Sequence, residues 1–88
     1  MTEATLEQFA LAIGNRLGVE VPQPIAPWTG LYDQLALDSF QAFEMLLVIE
    51  DMAENEAPPM EIPALFTLGD AYGYYLQLRA TTQTNSEV

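Results

Sequence analysis

Asp38 and Ser39 stand side by side in LALDSF, residues 35 to 40, where a proline-rich stretch gives way to the most apolar run of the chain. A serine hydroxyl can act as a nucleophile, cap a helix or carry an attached group, and the rest of the composition separates these roles. The chain has no histidine, so nothing takes the hydroxyl proton at neutral pH and a serine-hydrolase arrangement is excluded. Cysteine is also absent, which removes disulfides and thiolate metal sites. The protein is therefore not expected to be an enzyme. As the first helical residue after an Asp38 cap, Ser39 would hold its hydroxyl at the positive end of a helix dipole, exposed at a loop junction. An anion esterified there, such as a phosphodiester, would be favoured by the dipole and by free backbone amides. The plain alternative is that Asp38 only caps the helix and Ser39 is a tolerated first-turn residue.

The elements that must position this pair follow from periodicity. Between Thr5 and Leu17, apolar side chains fall at Leu6, Phe9, Ala10, Ile13 and Leu17, one face of a helix, with Gly14 a weak point and Gly18 a stop. Residues 20 to 34, EVPQPIAPWTGLYDQ, hold three prolines and a glycine and predict a long ordered loop with a short turn near Leu31 to Leu35. A second helix is expected from Ser39 to Ala53, with Pro58 and Pro59 closing the segment. After a turn beyond Ile62-Pro63, a last helix is expected. It is capped by Thr67 with Asp70 and carries Leu68, Ala71, Tyr72, Tyr75, Leu76 and Leu78. Residues 80–88, ATTQTNSEV, are polar and aperiodic and read as a flexible tail. The expected fold is all-α, a small three-to-four-helix bundle with a long first loop, spanning residues 1–79.

The second helix is apolar on two sides. Ala42, Met45, Leu46, Ile49 and Ala53 make one stripe, free of charge, which reads as core. Phe40, Phe43 and Leu47 make another, mixed with Glu44 and Asp51. That mixture reads as a partner-docking face, apolar at its centre and acidic at its rim, with Glu50 beside it. Core remains the commoner fate of such side chains: all three could pack beneath the loop with Ile25, Trp28 and Leu31. Phe40 is assigned to a core or half-buried position, Phe43 and Leu47 to the surface.

Thirteen acidic residues against two basic ones, Arg16 and Arg79, give a net charge of −11. Such a field repels nucleic acid and attracts basic protein surfaces. The carboxylates do not fall at the alternating loop positions around a central glycine that a calcium loop needs, and no metal site is expected. No apolar run is long enough to span a bilayer, and the N-terminus is acidic where a secretory signal is basic. A soluble, cytoplasmic, discrete monomer without membrane insertion is the expectation.

LYDQLALDSFQAFEMLLVIED resembles the pattern of the acyl and peptidyl carrier proteins of fatty acid, polyketide and nonribosomal peptide synthesis. That pattern is an apolar-rich loop, Gly-hydrophobic-Asp-Ser-Leu, then a helix with glutamates five and eleven residues after the serine, here Glu44 and Glu50. The likeness extends from residue 2 to 79, through LGVE at the end of the first helix and FTLGDAYGYYL in the last. It implies that Ser39 carries a 4′-phosphopantetheine arm. A Mg²⁺-dependent phosphopantetheinyl transferase would transfer it from coenzyme A, with Asp38 helping to orient serine and metal. The arm's thiol would hold an acyl cargo as a thioester for acyl-loading and acyl-processing enzymes. A chain without cysteine offers no competing thiol. The resemblance also makes the second helix the face that meets basic partners, through Phe40, Phe43, Glu44, Leu47, Glu50 and Asp51. Two residues depart from the pattern: Ala36 stands where the family has glycine, and Phe40 where it has leucine. The segment EAPPMEIP lacks the acidic run of many fatty-acid carriers, which favours a specialised, polyketide-like pathway. An aminoacyl or peptidyl carrier and a plain acidic docking module are the alternatives.

Overall fold

A computed structural model of the chain describes residues 3–54 and 64–86. Within them lie three helices, α1 (Leu6–Leu17), α2 (Ser39–Ala53) and α3 (Leu68–Ser86), each packed against the other two. The fold is the expected small all-α bundle.

Thr5 starts α1 by a reciprocal cap. Its Oγ1 accepts from the Gln8 amide at 3.2 Å, and Gln8 Oε1 accepts from the Thr5 amide at 3.0 Å. Phe9, Ala10 and Ile13 face inward, and the helix ends at Gly18, whose φ of 71° is the left-handed conformation that glycine adopts without strain. Gly14, expected as a weak point, is a packing site. The chain folds back across it, Val19 donating to the Gly14 carbonyl at 2.9 Å. A Cβ at position 14 would lie 2.8 Å from the Val19 carbonyl oxygen.

Phe9 joins α1 to α3. Its ring centroid lies 5.4 Å from that of Tyr72 and 5.3 Å from that of Tyr75. The two phenols clamp the chain before α1: the Ala4 amide donates to Tyr75 Oη at 2.9 Å, and Tyr72 Oη donates to the Ala4 carbonyl at 2.7 Å. Burial first, then the Glu3 carboxylate and Tyr75, push the Tyr72 hydroxyl above the ordinary 10.0. A raised folded-state pKa gives stability that is fully present below 10.0 and is lost as pH rises through the raised value. Melting temperature should therefore begin to fall as pH passes 10.0, and Tyr72→Phe should flatten the fall, as read by circular-dichroism melts across an alkaline series.

The long loop is held by the start of α3. Gly30 and Thr67 form an isolated antiparallel bridge, with Leu31 donating to the Phe66 carbonyl at 2.8 Å and Leu68 to the Thr29 carbonyl at 2.9 Å. The expected turn after Leu31 is present, closed by the Gln34 and Leu35 amides on the Gly30 carbonyl at 3.2 and 3.1 Å. It sends Leu31, Leu35 and Leu37 into the core, so the loop contributes three leucines to the bundle.

At α3, the Thr67–Asp70 cap forms as expected: Asp70 N donates to Thr67 Oγ1 at 3.1 Å, and Asp70 Oδ2 accepts from the Thr67 amide at 3.2 Å. α3 continues as helix to Ser86, past the residues whose periodicity predicts it. Loss of apolar periodicity removes a packing face, but without glycine or proline nothing in this stretch breaks the backbone ladder. The stop at Pro58-Pro59 and the EAPPMEIP comparison lie outside the described residues; from residue 64 the chain runs without the expected turn into the Gly30–Thr67 bridge. Among those described, no helix is long and apolar enough to cross a membrane.

Candidate functional site

The junction between loop and α2 is built by Asp38. With φ −89° and ψ 178° it is extended, and its Oδ1 accepts from the Gln41 amide at 2.7 Å while Gln41 Oε1 accepts from the Asp38 amide at 3.2 Å. The sequence reading found the cap but missed Gln41, although a glutamine three residues after an N-cap is the signal for a reciprocal box. Ser39 is thereby set as the first helical residue, exposed, at the positive end of a helix whose first turn has no acidic side chain.

Just upstream, Ala36 adopts φ 56°. This left-handed residue lets the neighbouring Leu35 and Leu37 both enter the core, each 5% exposed, while Ala36 itself faces solvent. Alanine there is strained by about 1–2 kcal/mol, and glycine would return about 0.4–1 kcal/mol as unfolded-chain entropy. Ala36→Gly should therefore raise stability by about 1 kcal/mol in urea titration.

Ser39 opens onto an apolar cleft of about 510 Å³, walled by Tyr32 from the loop, Ala42, Phe43 and Leu46 from α2, and Leu65 from the segment before α3. Ala42 and Leu46, expected in the core, are half-buried because they form this wall. The inward face of α2 is instead Met45, Val48, Ile49 and Ala53. Val48 was not anticipated, although it stands three residues after Met45.

The second stripe reaches solvent. Phe43 is 55% and Leu47 51% exposed, as expected; Phe40, at 68%, is neither core nor half-buried, and that assignment is corrected. The loop does not cover these side chains, because Leu31 is turned inward and Trp28, at 77%, is turned out. Glu44 and Glu50 are half-buried. Glu44 borders a second groove, of about 230 Å³, with Leu47, Arg16 and Leu17. Glu50 acts on the Tyr74 hydroxyl, whose pKa is raised by burial first and then by that carboxylate. Asp51 is paired with Arg16 across α1 and α2 at 3.2 Å, an interaction the sequence did not reveal. Both side chains are about half exposed or more, so the pair is worth only about 0.2–1 kcal/mol.

Arg79 is 8% exposed and lies 3.6 Å from Glu54. Arg16 is therefore much the more exposed of the chain's two basic side chains, 49% against 10%. Among the described residues no cluster of three or more acidic side chains could hold a metal ion.

The described residues define a small all-α bundle presenting Ser39, capped and exposed, beside an apolar cleft, in a chain of strongly acidic composition. No known protein-family model and no solved structure matches the chain.

Proposed function

We propose that the protein is an acyl carrier protein, bearing a 4′-phosphopantetheine arm on Ser39 and presenting an acyl group to partner enzymes of a polyketide or similar specialised pathway in the cytoplasm. One observation carries the reading: Ser39 is exposed at the first position of α2 and shares its surroundings with an apolar cleft of about 510 Å³. The residues fit the group. A phosphodiester at Ser39 meets the first-turn amides that have no intrahelical acceptor, and an apolar chain leaving it finds Phe43, Leu46 and Leu65 alongside.

In loading, Ser39 Oγ attacks the pantetheine-bearing phosphorus of coenzyme A, the pyrophosphate P–O bond breaks, and adenosine 3′,5′-bisphosphate leaves. The serine proton goes to a base of the transferase, since this chain has no histidine. Asp38 Oδ1 is engaged in the cap, so any role toward Mg²⁺ falls to its second oxygen. The bound arm supplies a thiol that holds the acyl group as a thioester. The protein's own part is to orient the serine, shelter apolar cargo and present Phe43, Glu44, Leu47 and Asp51 to basic partners.

The test is intact-protein mass spectrometry after incubation with coenzyme A, Mg²⁺ and a broad-specificity phosphopantetheinyl transferase. A gain of one phosphopantetheine supports the carrier; no gain in a folded protein leaves an acidic docking module. Loading should also slow several-fold between low and physiological salt, because exposed carboxylates steer a basic enzyme. Glu44→Lys should weaken that dependence. A loading rate indifferent to ionic strength would contradict electrostatic docking.

A further inference from the structure

Large aromatic side chains of the loop, of α2 and of the approach to α3 reach solvent. Trp28 is 77%, Phe40 68%, Phe66 63%, Phe43 55% and Tyr32 45% exposed, more than scattered surface side chains account for. Phe40 and Phe43 belong to α2. Tyr32 and its ring partner Phe66 stand on the other side, from the loop and the approach to α3, and Trp28 is displayed from the stretch of loop whose backbone is bonded to the start of α3. The Tyr32 and Phe66 rings meet edge-on at 6.5 Å, and Tyr32 lines the same cleft as Ser39. Backbone bonds on either side of Trp28 hold that stretch: the Pro27 carbonyl accepts from Gly69 at 2.7 Å and the Thr29 carbonyl from Leu68 at 2.9 Å. Gly69 is required for that contact, since a Cβ there would lie 2.9 Å from the Pro27 oxygen. The aromatic groups are thus displayed on a pinned backbone and need little ordering to bind.

Charge narrows the occupant. Asp33, Asp38 and Asp70 are exposed. The one exposed arginine is engaged on the other side of α2: Arg16 is bound to Asp51, itself twelve residues along the helix from Ser39, and borders the groove of Glu44 and Leu47. A second copy, itself carrying −11, and an anionic lipid surface would both be repelled. An enzyme that delivers a group from coenzyme A must hold phosphates with cationic side chains, and at Ser39 those cations come against Asp38, with Asp70 bonded to the Phe66 amide and Asp33 next to Tyr32 as further exposed carboxylates. Any such approach also covers Tyr32, which shares the cleft with the serine, and its neighbour Phe66.

We propose that the Trp28–Tyr32–Phe66 wall is a docking surface for the enzyme that loads Ser39, met by apolar side chains ringed with arginine or lysine. The inference rests on the carrier reading and adds to it a recognition surface outside α2. Aromatic residues on a rigid, acid-rimmed face are what a basic partner engages by apolar burial and by cation–π contact.

The experiment compares wild type, Trp28→Ser, Phe66→Ser and the double variant as substrates of a broad-specificity phosphopantetheinyl transferase with coenzyme A and Mg²⁺. Loading is followed by intact mass, and folding is checked by circular-dichroism melts. Each single variant should melt like wild type and lose about tenfold in kcat/KM through KM, with kcat retained, and the double variant should lose more. Wild-type loading with variants equal to it within twofold overturns the inference and leaves the carrier intact. Failure of wild type to load overturns both. Sedimentation supplies a second readout: concentration-dependent dimers lost in Trp28→Ser would assign the wall to a second copy and overturn the inference.

Discussion

Ser39→Ala is expected to abolish phosphopantetheine loading completely while leaving stability within about 0.5 kcal/mol of wild type. The hydroxyl is the only atom of that side chain the chemistry needs, and it sits exposed at a helix start where alanine is an equally good helix former. The neighbouring substitution separates attachment from architecture. Asp38→Ala removes the acceptor of the Gln41 amide, bonded at 2.7 Å, and should cost about 1 kcal/mol, or about 4–8 °C in melting temperature. Thermal melts separate the two variants, Ser39→Ala melting like wild type and Asp38→Ala below it, while intact mass reads the arm on each. If Ser39→Ala still gained the arm, attachment would lie elsewhere and the carrier reading of this site would be wrong.

Phe9→Ala should have the largest effect on the fold. Phe9 is completely buried, and its ring touches both Tyr72 and Tyr75, so it joins α1 to α3. Truncating a buried phenylalanine costs about 3–5 kcal/mol, because the lost burial is compounded by an unfilled cavity. A domain of this size has a total stability of about 4–13 kcal/mol, so the variant stands near the unfolding threshold. The tyrosine pair would also lose the surface that sets its clamp on Ala4. Urea titration with far-ultraviolet circular dichroism should show a midpoint shifted well below wild type. A shift under 1 kcal/mol would mean that the core closes over the gap.

The helices were legible because their ends are written in single residues: Thr5 and Gly18 for α1, Asp38 for α2, Thr67 with Asp70 for α3. The serine was legible as an exposed first-turn position for the same reason. Contacts between distant segments were not legible. Nothing local to Gly30 or Thr67 announces their bridge, and nothing near Arg16 announces Asp51. The exposure of Phe40 was hidden too, since periodicity says which side chains share a face but not which face a neighbour covers. Ala36 lies between these cases. It stands where the resembled pattern has glycine, and its positive φ is the conformation that glycine adopts most readily.

The placement of the two arginines also governs how the chain is cut. With no lysine, trypsin has only the bonds after Arg16 and Arg79, both within helices. The first is near solvent and held by a weak ion pair; the second belongs to a side chain only 8% exposed. Digestion of the native protein therefore reports helix opening at two separate points, α1 against α2 and α3 against the end of α2. Amine-directed labels, with no lysine to react with, are confined to the chain's own terminus.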